Sequence, residues 1–288
     1  MTAMPVRIVD AHVHLWDPAR TDWYPYLSDD RDLPVGDLSG MARRFDAQTY
    51  AAESSGWNVE KLVNVAAATG GHSVEETLAL DASAEAVGQP AAIVGGITPA
   101  AGESAVITQI DRQMAAARFR GVRAMGSPDH PVPGATVLRA LRERGLVFDL
   151  MARTHQLRSC ADALAGVGGL SVVVEHAGWP RSGDPDEFRS WKDGIRSLAA
   201  VGDRVSCKLS GLAMPLGTMD RHELAPWIEF AIETFGVDRC MFASNFPVDG
   251  IRGTLEELFS SYFKVVAGLG DQAIEDLFAG NAERIYSC

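Results

Sequence analysis

The sequence predicts an α/β fold, a closed (β/α)8 barrel, on three observations. A short run rich in Val and Ile recurs eight times, at 7–14, 61–67, 91–97, 119–125, 146–151, 170–176, 204–210 and 240–245. Segments of helical character separate the runs, among them "SVEETLALDASAEAV", "ESAVITQIDRQMAAAR", "GATVLRALRERG", "LRSCADALAGV", "EFRSWKDGIRSLAAV" and "RHELAPWIEFAIETFG". The runs are apolar on both faces, which implies parallel strands covered by helices, and eight such units favour a closed barrel over an open sheet.

The first strand follows almost directly from the N-terminus, with no basic region and apolar run of the secretory kind. Ser73 with Glu76 three residues on reads as a capping box opening the helix after the second strand. Trp191, Trp227 and Phe230 fall on helices and read as core residues. No linker or composition shift divides the 288 residues, so one domain spanning 1–288 is expected. No G-x-G-x-x-G follows the first strand and no GxxxxGK[ST] occurs, which argues against nucleotide binding.

The composition is that of a globular protein, 47% hydrophobic and 22% charged, with a formal net charge of -12. Without a Lys/Arg run, that charge speaks against nucleic acid as a partner. No segment approaches the ~20 apolar residues that span a bilayer. Cys160, Cys207, Cys240 and Cys288 show no paired spacing, so a reduced, cytoplasmic protein is expected.

In a barrel of this kind, chemistry sits at the C-terminal strand ends. In "VDAHVHLWDP", period-2 alternation puts Ile8, Asp10, His12 and His14 on the inner face, with Val9, Ala11 and Val13 outside. Two imidazoles at i and i+2 can reach one metal ion, although histidines also end strands simply by satisfying backbone groups. Val172, Val174 and His176 alternate likewise in "LSVVVEHAGWP" and bring a third imidazole to the mouth. His155 lies beyond the fifth strand, as a substrate contact or a solvated cap. His72, His130 and His222 have no comparable placement. Lys208 in "RVSCKLSGL" faces inward with Ser206 and Ser210, and Arg123 ends the fourth strand. Each cation either receives an anionic substrate or forms an ion pair with Asp10 or Asp149. Asn245 ends the eighth strand after Met241 and Ala243, and Asp249 follows it.

With "DAHVHLWDP", "FRGVR", "VVVEHAGWP", "CKLSGL" and "FASNFPVD" in order along nearly the whole chain, the sequence resembles the amidohydrolase superfamily. Within it, the chain is similar to the lactonase-like branch of fuconolactonases, pyrone dicarboxylate lactonase and sulfomuconolactone hydrolase. The resemblance implies a distorted (β/α)8 TIM barrel that opens the lactone of a small anionic or sugar-acid substrate. It implies one divalent metal ion, zinc, on His12, His14 and His176. It also implies a substrate pocket with Arg123, Lys208, Trp16 and Ser210, and proton transfer by His176, His155 or Asp249. The superfamily's eighth-strand aspartate is replaced by Asn245, an amide that can hold a water or a cation but cannot serve as a base. Weakened metal binding is one consequence. A decarboxylase or hydratase on the same scaffold, and a silent binding protein, are the competing readings. Loops 22–34 and 126–134 are expected to set specificity, and a homo-oligomer is compatible with the sequence.

Overall fold

Branched side chains favour the pleated, doubly covered surface, and each Val- and Ile-rich run does form a strand. The computed structural model describes residues 7–27, 39–69, 71–126 and 129–288. The strands are β1 (Ile8–Val13), β2 (Val59–Val65), β3 (Ala92–Ile97), β4 (Phe119–Ala124), β5 (Val147–Leu150), β6 (Val172–Val174), β7 (Val205–Leu209) and β8 (Cys240–Phe242). They form one parallel sheet in chain order. The seam between β8 and β1 is bridged just beyond β8, where the Asn245 amide donates to the His12 carbonyl and the His14 amide to Phe246, both at 2.8 Å. The result is a (β/α)8 barrel.

Eleven α-helices and short turns surround the strands among the described residues. The predicted helical segments correspond to α2 (Ser73–Val87), α3 (Glu103–Gln113), α4 (Ala135–Glu143), α5 (Leu157–Ala165), α6 (Pro185–Ala199) and α8 (Arg221–Phe235). The sequence reading did not pick out α1 (Ala47–Glu53), α7 (Ala213–Leu216), α9 (Leu255–Val266), α10 (Asp271–Glu275) or α11 (Asn281–Tyr286). Trp191 and Trp227 are buried together, with ring centroids 4.7 Å apart, and Phe230 packs against Trp191. No helix among the described residues is long and apolar enough to cross a membrane.

Three local expectations are corrected. The expected capping box at Ser73 does not form, because Glu76 is buried and accepts from the Ala67 and Ala68 amides and the Tyr24 hydroxyl, while the Ser73 hydroxyl donates to the Ala68 carbonyl. In β1 the register against β2 slips by one residue between Asp10 and Val13. Val9 and Ala11 therefore join the inner apolar cluster, while Asp10 turns outward to accept from Tyr50 of α1 at 2.6 Å. The bulge restores His12 and His14 to the mouth. In β6, Val173 rather than Val172 and Val174 belongs to the inner cluster, so strict alternation carries Glu175 inward. His176 reaches the mouth through a left-handed backbone turn, at φ 53°.

The end of the chain closes the barrel at the N-terminal ends of its strands. Arg7 pairs with Glu275 at 2.6 Å and Glu283 at 2.8 Å, and Lys61 reaches Glu283 at 2.5 Å. Asn281 donates to the carbonyls of Val237 and Cys240. Tyr286 enters the barrel, where its hydroxyl donates to Asp149 of β5 at 2.9 Å.

Candidate active site

At the opposite end, the loops after the strands surround a cavity of about 540 Å3 lined by His14, Arg123, His176 and Asn245 together with Tyr26, Met41, Met151, Arg153, Trp179, Arg181 and Met214 among others. Its floor is buried, with His14, Arg123 and His176 each 6% exposed.

His12 and His14 present their Nε2 atoms to each other at 3.2 Å. The His14 Nδ1 lies 2.8 Å from the Val65 carbonyl, an acceptor only, so Nδ1 carries the proton and Nε2 a lone pair. His176 stands beside His12, ring centroids 4.6 Å apart. Its Nδ1 is 3.0 Å from the Ser210 hydroxyl. Gly211 allows this closeness: a Cβ there would meet His176 Nδ1 at 2.5 Å, and its φ of 66° already favours glycine.

Burial holds all three imidazoles below the ordinary histidine range, His14 to about 3, and nearby cations reinforce the shift. They are neutral at pH 7, the form that ligates metal or accepts a proton.

The two inward cations separate. Lys208 is fully buried, pairs with Asp149 at 2.6 Å and does not line the cavity, so its place is that of an ion pair. Arg123 does line the cavity, with Nη2 3.1 Å from Glu175. Glu175, which the sequence reading missed, is fully buried, raised by burial and held back chiefly by Arg123. It lies 3.9 Å from His12 Nδ1. Its signal was the other parity of β6, in which Val173 and Glu175 share a face.

Asn245 sits at the mouth with φ 56°. Its Nδ2 donates to Asp249 at 2.7 Å, which leaves the amide oxygen for the His14 side. Asp249 is buried behind Asn245 and does not line the cavity; burial pushes its carboxyl up to about 7. Four of the five non-glycine residues with positive φ among the described residues, His176, Ala177, Trp179 and Asn245, stand in the segments bearing these groups. Such strain concentrates at functional sites.

The remaining candidates stand elsewhere. Trp16 stacks on His14 at 5.8 Å and bonds the Arg43 carbonyl, so it braces the imidazole from behind and lines a separate cleft. Ser210 is fully buried and touches His176 instead of the cavity. His155 is exposed on a turn before α5 and outside the cavity. Of the two expected specificity loops, 28–34 and 127–128 lie outside the described residues.

Two features bear on a metal. Two nitrogens bound tetrahedrally at about 2.0–2.1 Å stand about 3.4 Å apart, close to the 3.2 Å between the His12 and His14 Nε2 atoms. His12, Glu175 and His176 also offer donor atoms within 4.8 Å of one another. The donors fit a divalent ion.

A parallel (β/α)8 barrel whose mouth gathers neutral imidazoles, a carboxylate and a guanidinium defines an enzyme of the amidohydrolase class. The family model described as Amidohydrolase matches residues 9–288, and the chain belongs to that family. It is 27% identical over 295 residues to an L-fucono-1,5-lactonase from Burkholderia ambifaria, covering 96% of this chain and 94% of the relative. An amidohydrolase from Burkholderia multivorans, solved with bound zinc, superposes with a TM-score of 0.81 at 24% identity, covering 99% of each chain. A 5-carboxyvanillate decarboxylase from Sphingomonas paucimobilis shares the fold with a TM-score of 0.65 at 14% identity, covering 98% of this chain and 99% of that one.

Proposed function

We propose that the protein hydrolyses a lactone, consuming water and yielding the open hydroxycarboxylate and one proton. The observation that carries this reading is the convergence of His12, His14, His176 and Arg123 at the floor of one cavity, with Asn245 beside them. The named lactonase relative supports it.

His176 is neutral and its Nδ1 is engaged by Ser210, so its Nε2 takes the proton of the attacking water. The same ring returns that proton to the departing ring oxygen as the C–O bond breaks. Arg123 receives the carbonyl oxygen as charge develops there, and then the product carboxylate. Asn245 accepts a hydrogen bond from the water and orients it, and Asp249 acts through Asn245 by fixing the amide with its oxygen toward the mouth.

His12 and His14 would hold a divalent ion, zinc by the preference of imidazole donors, with Glu175 as the carboxylate behind His12. Such an ion supplies Lewis-acid polarisation and lowers the pKa of water toward about 7. Arg123 and Lys208 already balance Glu175 and Asp149, so a neutral amide at 245 gives a dication less compensation than a carboxylate there. Weak metal binding follows. All four cysteines are free, which suits a reducing compartment such as the cytoplasm.

A panel of γ- and δ-lactones followed by proton release, with and without added zinc, tests the reading. One proton per ring opened, without carbon dioxide, is expected. Carbon dioxide release from aromatic acids, or binding without turnover, would overturn it.

A further inference from the structure

The cavity has a second cationic pole that the hydrolytic chemistry does not use. Arg123 lies at the floor, but Arg153 and Arg181 stand exposed at the rim. Arg153 is held over the face of Trp179, 4.6 Å from the guanidinium carbon to the ring centroid. Neither rim side chain has an ion-pair partner among the described residues, whereas Arg123 is paired with Glu175. No carboxylate occurs among the described lining residues, in a chain whose net charge is -12. The lining also includes the apolar side chains of Met41, Met151, Met214, Pro215 and Val248.

This distribution is a poor match for a polyhydroxylated ring, whose every hydroxyl would need a partner on leaving water. It suits a ligand with an apolar body and an acidic group at the end away from the ester. We propose that Arg153, steadied on Trp179, and Arg181 form a subsite for a remote carboxylate or sulfonate, and that the substrate is an anionic lactone with a largely apolar ring rather than a sugar lactone. The proposal rests on the lactonase reading for the identity of the reacting group. The subsite itself is defined without it. In such a pose the ester lies against Arg123 and the imidazoles while the remote acid stays at the rim, so ring opening creates a second anion at the opposite pole.

The test compares three lactones of one ring size: one bearing a ring carboxylate, its neutral methyl ester, and a neutral polyhydroxylated analogue. The carboxylated lactone is expected to exceed the methyl ester in kcat/KM by about tenfold or more, the scale of one charge-assisted hydrogen bond. The advantage should lie in KM and shrink with added salt. R153M and R181M should each narrow that ratio, and the exposed control R139M, on α4, should leave it as it is. Preference for the polyhydroxylated lactone, or a ratio unmoved by both rim variants, would overturn the proposal. Calorimetric binding of the open dicarboxylate to H176A separates the two readings. Binding weakened by R153M supports the rim subsite even if no lactone is opened, and binding indifferent to both rim variants defeats it even if lactones are opened.

Discussion

In the barrel interior toward its base, Asp149 accepts from Lys208 at 2.6 Å and from Tyr286 at 2.9 Å, and Lys208 lies 4.9 Å over the Tyr286 ring. Around the closing helix, Arg7, Lys61, Glu275 and Glu283 are matched in the same way. At the mouth, His12 Nδ1, Arg123 Nε and both Glu175 oxygens make no hydrogen bond, though Glu175 stands 3.1 Å from Arg123. Buried polar groups ordinarily find partners. The base follows that rule and holds the barrel closed; the mouth leaves donors and acceptors for a ligand.

The sharpest way to separate the ends is H176A, which should lower kcat by about 10²–10⁴-fold, the usual worth of a positioned acid–base group. Circular dichroism and the denaturant midpoint should stay close to wild type. Comparable loss of stability would place His176 with the structural groups. The mirror-image experiment is K208M, which strands Asp149 in the interior. Urea unfolding should report a loss of about 3–5 kcal/mol. An unchanged midpoint would mean that the ion pair does not hold the base.

Y286F tests the same end more gently, removing one donor to Asp149 at a cost of about 1–3 kcal/mol while turnover persists. S210A works between the ends: it frees His176 Nδ1 and should cut kcat about tenfold with KM little changed, and S210T should restore part of the loss.

A further contrast concerns pH. His14 is held to about 3 when folded, against about 6.5 in an unfolded chain. Unfolding therefore takes up its proton between those values, and the native state loses stability as pH falls through 6.5 toward 3. The urea midpoint should decline over that window, with a shallower slope in H14N. An equal slope in the variant would show that His14 does not contribute.

The eight strands were legible because burial on both faces leaves apolar runs of fixed length, and six helices because their segments lie between those runs. The late helices were less legible: α10 and α11 are short, and their meaning lies in contacts with Arg7, Lys61 and Asp149, far away in sequence. Inner faces were readable where strands alternate cleanly, as at Arg123 and Lys208. They were misread where one residue shifts the phase, at the bulge in β1 and at the end of β6, and Glu175 was lost to that second error. Trp16 and Ser210 were read as pocket walls because sequence fixes nearness to a histidine but not which side of it a neighbour occupies. Arg153 was missed for a related reason. Only the left-handed turn at 176–179 brings Trp179 beneath it.

Proton release from a lactone panel measures directly whether the mouth is a lactone-opening centre. It is expected to give one proton per ring opened, with turnover lost in H12A and H176A and retained in Y286F. Ring opening undiminished in H176A, or wild-type protein that binds lactones and opens none with or without zinc, would contradict it.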